Sequence, residues 1–159
     1  MGLFDMFTQE IAIDLGTANT LIIHNNKIVI DQPSIVAIER SSNRPIAVGE
    51  KAKHMQGKTH EDIRTIRPLK DGVIADFHAS EHMIKEFIKQ IPAIKGKLVQ
   101  PALKIVICIP SGITEVEKRA VRDSAQKVNA KEVRLIYEPM AAAIGVGIDV
   151  QKPEGNMIN

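Results

Sequence analysis

Residues 102–110, ALKIVICIP, form a nearly unbroken apolar run of strand length. A strand with one wet face alternates apolar and polar residues, so a run like this predicts a strand covered on both faces. The next segments narrow the fold further. SGITEVEKRAVRDSAQKVNA (111–130) places Glu117 three residues after Thr114, a capping box, and carries Val116, Ala120, Val121 and Val128 as an apolar stripe. Glu115–Arg119 and Arg119–Asp123 stand four apart on its solvated side. EVRLIY (132–137) reads as a second strand, and PMAAAIGVG as a helix with Pro139 in its first turn. Upstream, SEHMIKEFIKQI (80–91) lines up Met83, Ile84, Phe87, Ile88 and Ile91 on one helical face, and Pro92 ends it. Strands separated by helices join through right-handed parallel crossovers, so this part of the chain predicts a parallel sheet with helices packed on it.

The front of the chain has a different pattern. Strand-like segments at 10–15, 20–24 and 27–31 lie too close together for helices to intervene, and HNNK (24–27) supplies hairpin turn chemistry between the last two. They predict an antiparallel meander at one side of the same sheet. Residues 32–75 hold the strand-like PSIVAIE, many turn residues and little helical periodicity, which reads as a small, partly β insertion. The expected class is α/β: a mixed five-stranded sheet, antiparallel then parallel, flanked by helices.

With 159 residues, 44% hydrophobic and 25% charged, the chain is sized for one domain with a real core. Aromatics are only 3%, so that core must be aliphatic. A net charge of +2 is too small to argue for nucleic acid. The single cysteine, Cys108, sits inside an apolar run and reads as a small core thiol in a reducing compartment, with no disulfide framework. No apolar stretch reaches transmembrane length, and the expectation is a cytoplasmic protein. His24, His54, His60, His78 and His82 share no ligand spacing and read as surface residues.

The chemistry concentrates at two places. In AIDLGTANTLII (12–23), Gly16 permits a sharp bend after Leu15, and small or hydroxylic residues come next. Successive amides in such a turn can form a concave anion site, and Asp14 beside it makes sense with a hydrated Mg²⁺ between carboxylate and phosphate. The other reading is a tight hairpin whose Asp bonds its own turn. At the second place, YEPMAAAIG, Glu138 ends a strand just before a helix, on the edge where open α/β sheets hold ligands. There it either orients an attacking water or favours the helix N-terminus by opposing the macrodipole. Ser111 and Gly112 end a third strand on that edge and either line the cleft or only make the turn. Leu98 and Val99, in GKLVQP, are a buried loop anchor or an exposed apolar tip. Leu3, Phe4 and Phe7 fall on one side of a short N-terminal segment, a frayed end or an interfacial foot. Gly2 is no myristoylation site, because Met6 stands where Ser or Thr is required.

IAIDLGTANTLI, QPSIVAIE, IRPLKDGVIADF, VEKRAVRDSA and IYEPMAAAIG occur in collinear order, and together they resemble the MreB family of bacterial actin-like, rod-shape-determining cytoskeletal ATPases. The resemblance implies a ribonuclease H-like, actin-type fold. It makes DLGTANT a first phosphate loop, with Gly16, Thr17, Ala18 and Asn19 at the phosphates of ATP and Asp14 holding Mg²⁺ through water. It assigns Glu138 to hydrolysis. Residues 10–31 and 76–152 become subdomain IA, and 32–75 subdomain IB. Residues 1–9 become an amphipathic membrane-contact segment, with Leu3, Phe4 and Phe7 joined by Leu98 and Val99. Implied partners are further copies in filaments, the inner face of the cell membrane and cell-wall elongation proteins, with no nucleic acid.

The resemblance also implies a limit. Nothing in the chain matches the family's second Asp-x-Gly-Gly-Gly-Thr phosphate loop, and residues 153–159 read as a truncated linker toward a second half. One wall of an ATP site is expected, and turnover by these 159 residues alone is not. The competing expectations are a membrane- or partner-binding fragment without turnover, and a chaperone- or sugar-kinase-type phosphotransferase of the same fold.

Overall fold

The computed structural model describes residues 8–57, 61–71, 73–96 and 101–151. Strands β1 (Thr8–Leu15), β2 (Asn19–His24) and β3 (Lys27–Pro33) form the expected antiparallel meander. Asn25 and Asn26 turn between β2 and β3 with φ of 51° and 58°, a backbone that asparagine tolerates better than most residues. The chain then builds a separate antiparallel sheet from β4 (Val36–Glu39), β5 (Arg44–Val48) and β6 (Ile63–Ile66), in the order β5-β4-β6, with helix α1 (Gly49–Met55) against it. A short hairpin, β7 (Leu69–Lys70) and β8 (Val73–Ile74), leads back. The rest of the chain is helix α2 (Phe77–Gln90), strand β9 (Ala102–Ile109), helix α3 (Glu115–Gln126), strand β10 (Ala130–Tyr137) and helix α4 (Glu138–Gly145).

The large sheet runs β10-β9-β1-β2-β3, with β9 parallel to both β1 and β10. The mixed five-stranded sheet expected from the strand and helix order is therefore present. Period-two alternation sends Ile11, Ile13, Leu15, Ile22, Leu103, Ile105, Ile107 and Ile109 to one face. There they join Met83, Ile84, Phe87, Ile88 and Ile91, and Val121, Ala125 and Val128 of the α3 region, in one aliphatic core. The five α2-region residues expected on a common apolar face are all buried.

Several expectations need correction. The 102–110 run is not covered on both faces. Its burial alternates, and Val106 is 37% exposed beside Ile23 and the Glu10–Lys104 pair, along an open groove of about 500 Å³. Apolarity on both faces of β9 suggests two covering layers, whereas among the described residues α2 and α3 pack into the single core on one face. Cys108 is correspondingly only half-buried. Val116 does not join the α3 stripe; it is 79% exposed, because the helix turns its second residue away from the core. Glu115 pairs with Lys118 at 2.6 Å rather than four residues on with Arg119. His24 is buried, hydrogen-bonded through Nε2 to Gln9 Oε1 at 2.8 Å, because strand alternation points it to the core face. The insertion contains a helix, α1, too short for periodicity to reveal. Helix α2 starts at Phe77, capped by Asp76, whose carboxylate accepts from the Ala79 N–H at 3.0 Å.

The capping box of α3 is formed as expected. The Thr114 hydroxyl accepts from the Glu117 N–H at 3.3 Å, and Glu117 Oε2 accepts from the Thr114 N–H at 2.8 Å. Thr114→Ala is expected to lower unfolding free energy by about 1 kcal/mol, measured by urea denaturation, and Thr114→Ser to recover most of it.

Candidate functional site

The candidate residues gather where β1, β9 and β10 end. Asp14 is the penultimate residue of β1, and alternation places it on the face opposite Ile13 and Leu15. It lies across from Cys108 of β9, which lies across from Ile136 of β10, two residues before Glu138. Burial pushes the Cys108 thiol up from its ordinary range, and the charges of Asp14 and Glu138 push it further in the same direction. The two carboxylates thus act on one thiol: they share the sheet edge, as their positions at the ends of parallel strands required. Burial also raises the Asp14 carboxyl above the usual aspartate value. Glu138 is exposed as the first residue of α4, with Pro139 behind it in the first turn.

Between β1 and β2 the chain turns through Gly16, Thr17 and Ala18. The packing at Gly16 admits no side chain, since a Cβ there would lie 2.5 Å from the Asn19 carbonyl oxygen. Each of the three carbonyls after β1 is held. Ser34 Oγ donates to Gly16 O at 2.6 Å, Arg67 Nη1 donates to Thr17 O at 3.2 Å and Ala18 O at 3.1 Å, and the Ser34 N–H donates to Ala18 O at 2.9 Å. Beneath them Thr20 Oγ1 and Ser34 Oγ, both fully buried, lie 2.9 Å apart in a hydrogen bond. Asn19 Nδ2 donates to Asp31 Oδ1 at 3.0 Å, tying the end of the turn to β3.

A trans peptide sets its N–H opposite its C=O. With the carbonyls of Gly16, Thr17 and Ala18 bonded to Ser34 and Arg67, the N–H groups of Thr17, Ala18 and Asn19 each point away from the carbonyl of their own peptide. Among the described residues, the carbonyls of this turn are held by Ser34 and Arg67. Sequence reasoning gives neither of them a role. Both lie in segments that carry the resemblance, QPSIVAIE and IRPLKDGVIADF, but their targets lie far from them along the chain, and nothing in those segments points to the turn.

Among the described residues no group of three or more His, Cys, Asp or Glu side chains is placed to hold a metal. Asp14 at the end of β1 is the carboxylate that would face a hydrated divalent ion. Ser111 and Gly112 are exposed in the turn between β9 and α3. Leu3, Phe4, Phe7, Leu98 and Val99 lie outside the described residues, as do residues 153–159. No helix among the described residues is long and apolar enough to cross a membrane.

Residues 8–159 match a family model described as MreB/Mbl protein. The chain is 48% identical over 158 residues to the cell shape-determining protein MreB of Escherichia coli (strain K12), covering 96% of this chain and 45% of that protein. Its structure is similar to that of MreB5 of Spiroplasma citri bound to ADP, with a TM-score of 0.78 and 36% identity over 93% of this chain and 44% of that one. The same MreB5 bound to AMPPNP gives a TM-score of 0.76, with the same identity and coverage. The chain thus spans less than half the length of these relatives.

Proposed function

Because the chain belongs to the MreB/Mbl family, we propose that residues 16–19 bind the phosphates of ATP or ADP, within one wall of a nucleotide site. The parent activity is that of an actin-like cytoskeletal protein whose membrane-associated filaments direct cell-wall synthesis and maintain cell shape. The observation that carries the nucleotide reading is the set of turn carbonyls bonded by Ser34 and Arg67, beside the sheet edge on which Asp14 and Glu138 flank Cys108 from the ends of β1 and β10. Residues 10–31 and 76–152 then correspond to subdomain IA, and 32–75, with the three-stranded sheet and α1, to subdomain IB.

In this role the amides of residues 17–19 orient the phosphate chain. Asp14 would hold Mg²⁺ through water, and that ion would neutralise phosphate charge. Glu138, exposed at the opposite side of the same edge, orients a water toward a terminal phosphate. That MreB5 of Spiroplasma citri, a relative, is bound to ADP in one structure and to AMPPNP in another supports nucleotide binding. Leu3, Phe4, Phe7, Leu98 and Val99 form the proposed contact with the inner face of the cell membrane. Unchanged liposome binding after Glu substitution at both apolar spots would remove that part. A second reading, a partner-binding piece without turnover, is favoured by the apolar residues left open on the sheet face and along α4, among them Ile28 at 61% and Ile144 at 53% exposure.

Titration of Mg·ATP into the purified chain, monitored by the amide resonances of residues 14–20, tests the nucleotide reading. Shifts confined to this turn and to Glu138 are expected; millimolar Mg·ATP that leaves them unmoved would overturn it. Asp14→Asn separates binding from folding. Its folded pKa is raised, so Asp14 contributes stability below its unfolded pKa and loses that contribution as pH rises through the folded value. At pH 7 the Asn variant is therefore expected to be at least as stable as the native chain while binding Mg·ATP more weakly. The stability difference should vanish at acid pH.

A further inference from the structure

The phosphate turn is built by residues that belong to neither strand of its own hairpin. Residues 34–35 carry the chain from β3 to β4, and residues 67–68 carry it from β6 to β7. These are the outgoing and returning connections between the large sheet and the three-stranded sheet. Each places one donor side chain under the turn: Ser34 against Gly16 O, and Arg67 across Thr17 O and Ala18 O.

The turn needs both. Gly16 has no Cβ, so the peptide joining it to Thr17 meets a low barrier to flipping. A flipped peptide presents its carbonyl, rather than its N–H, to an approaching anion. Ser34 Oγ opposes that flip at Gly16 O. Arg67 opposes it at the next two peptides, from an exposed position 50 and 49 residues further along the chain. A guanidinium suits the task, because a charge-assisted donor holds a carbonyl more strongly than a neutral one, and the two N–H groups of Nη1, fixed in the guanidinium plane, serve the two oxygens together.

We infer that Arg67 is a positioning residue for the phosphate turn: from behind, and without touching the ligand, it fixes the N–H groups of Ala18 and Asn19 toward the anion. The inference rests on the nucleotide reading and deepens it. Lys at this position keeps the charge and has donors enough for both carbonyls, but its freely rotating ammonium on a flexible stem lacks the fixed donor plane of the guanidinium, so it orders the turn less well.

The test uses the full chain in native, Arg67→Gln and Arg67→Lys forms, with two readouts. The first is ¹⁵N relaxation of the turn without ligand. Arg67→Gln is expected to drop the order parameters of Ala18 and Asn19 from the rigid to the flexible range, from about 0.85 to below about 0.6, with Arg67→Lys between. The second is titration with Mg·tripolyphosphate, which Arg67→Gln is expected to weaken about tenfold and Arg67→Lys less. A purely structural role would instead lower the melting temperature and disturb β9 and β10, leaving the lysine variant no better than the glutamine one. Unchanged order parameters in Arg67→Gln overturn the inference, and so does a disordered turn that binds tripolyphosphate as tightly as before. Should Arg67→Gln fail to fold, Arg67→Lys decides the same two readouts. If the native chain ignores tripolyphosphate, the phosphate reading falls, while the ligand-free relaxation still decides whether Arg67 fixes the turn.

Discussion

Phe87→Ala is expected to lower the free energy of unfolding by about 3–5 kcal/mol. Phe87 is fully buried on α2, in the same core as the inward residues of β1 and β9. Its ring also reaches the start of α1, where a Cβ on Gly49 would come within 2.9 Å of Phe87 Cε1. Gly49 itself has φ of +62°, a backbone that suits glycine, so neither partner can shift readily to fill a void. The ring thus packs into the large core and against the helix of the small sheet together. Truncation should therefore shift one common unfolding transition rather than release one part first. Urea denaturation monitored by far-ultraviolet circular dichroism measures this, with Phe87→Leu, which keeps most of the volume, expected to cost far less. Native domains are stable by about 5–15 kcal/mol, so the alanine variant should be close to unfolding at 37 °C. A loss below about 1 kcal/mol would mean that α2 is not seated on the sheet through this ring.

Gly16→Ala should damage binding more than folding. The added Cβ would meet the Asn19 carbonyl oxygen at 2.5 Å, a backbone atom that cannot swing aside as a side-chain tip would. The turn must open, and the bond from Ser34 Oγ to Gly16 O, 2.6 Å in the native chain, goes with it. That bond is partly buried, and its loss is expected to cost about 1–3 kcal/mol of stability, leaving the sheet intact. The N–H groups of residues 17–19 then no longer converge, so phosphate binding should fall by more than about tenfold. Mg·ATP titration and a urea unfolding curve on the same sample separate the two effects. Native affinity in Gly16→Ala would show that this turn is not the phosphate site.

Much of the fold was legible because it is locally encoded. The capping box at Thr114 and Glu117, the apolar face of α2 and the Asn25–Asn26 turn each rest on residues within four positions of one another. Such signals survive in the sequence whatever the rest of the chain does. The misses share a different cause. Val106 and Cys108 are as apolar as a doubly covered strand requires, and only the placement of α2 and α3 leaves their face open. His24 reads as a surface residue until strand register sets it inward against Gln9.

The site divides in the same way. The chain's own pattern determined the meander, the parallel strands and the glycine turn, and it placed Asp14 and Glu138 at the ends of parallel strands, because strand direction and turn chemistry are short-range properties. Only the tertiary structure decided how that turn is held. Ser34 comes from 18 residues past Gly16, and Arg67 from 50 past Thr17, along two connections that converge beneath it. No period links residues so far apart, and the segments QPSIVAIE and IRPLKDGVIADF that contain them do not show by themselves that they meet. Their meeting depends on how the small sheet is joined to the large one, and that closure, rather than the glycine alone, holds the carbonyls of the loop.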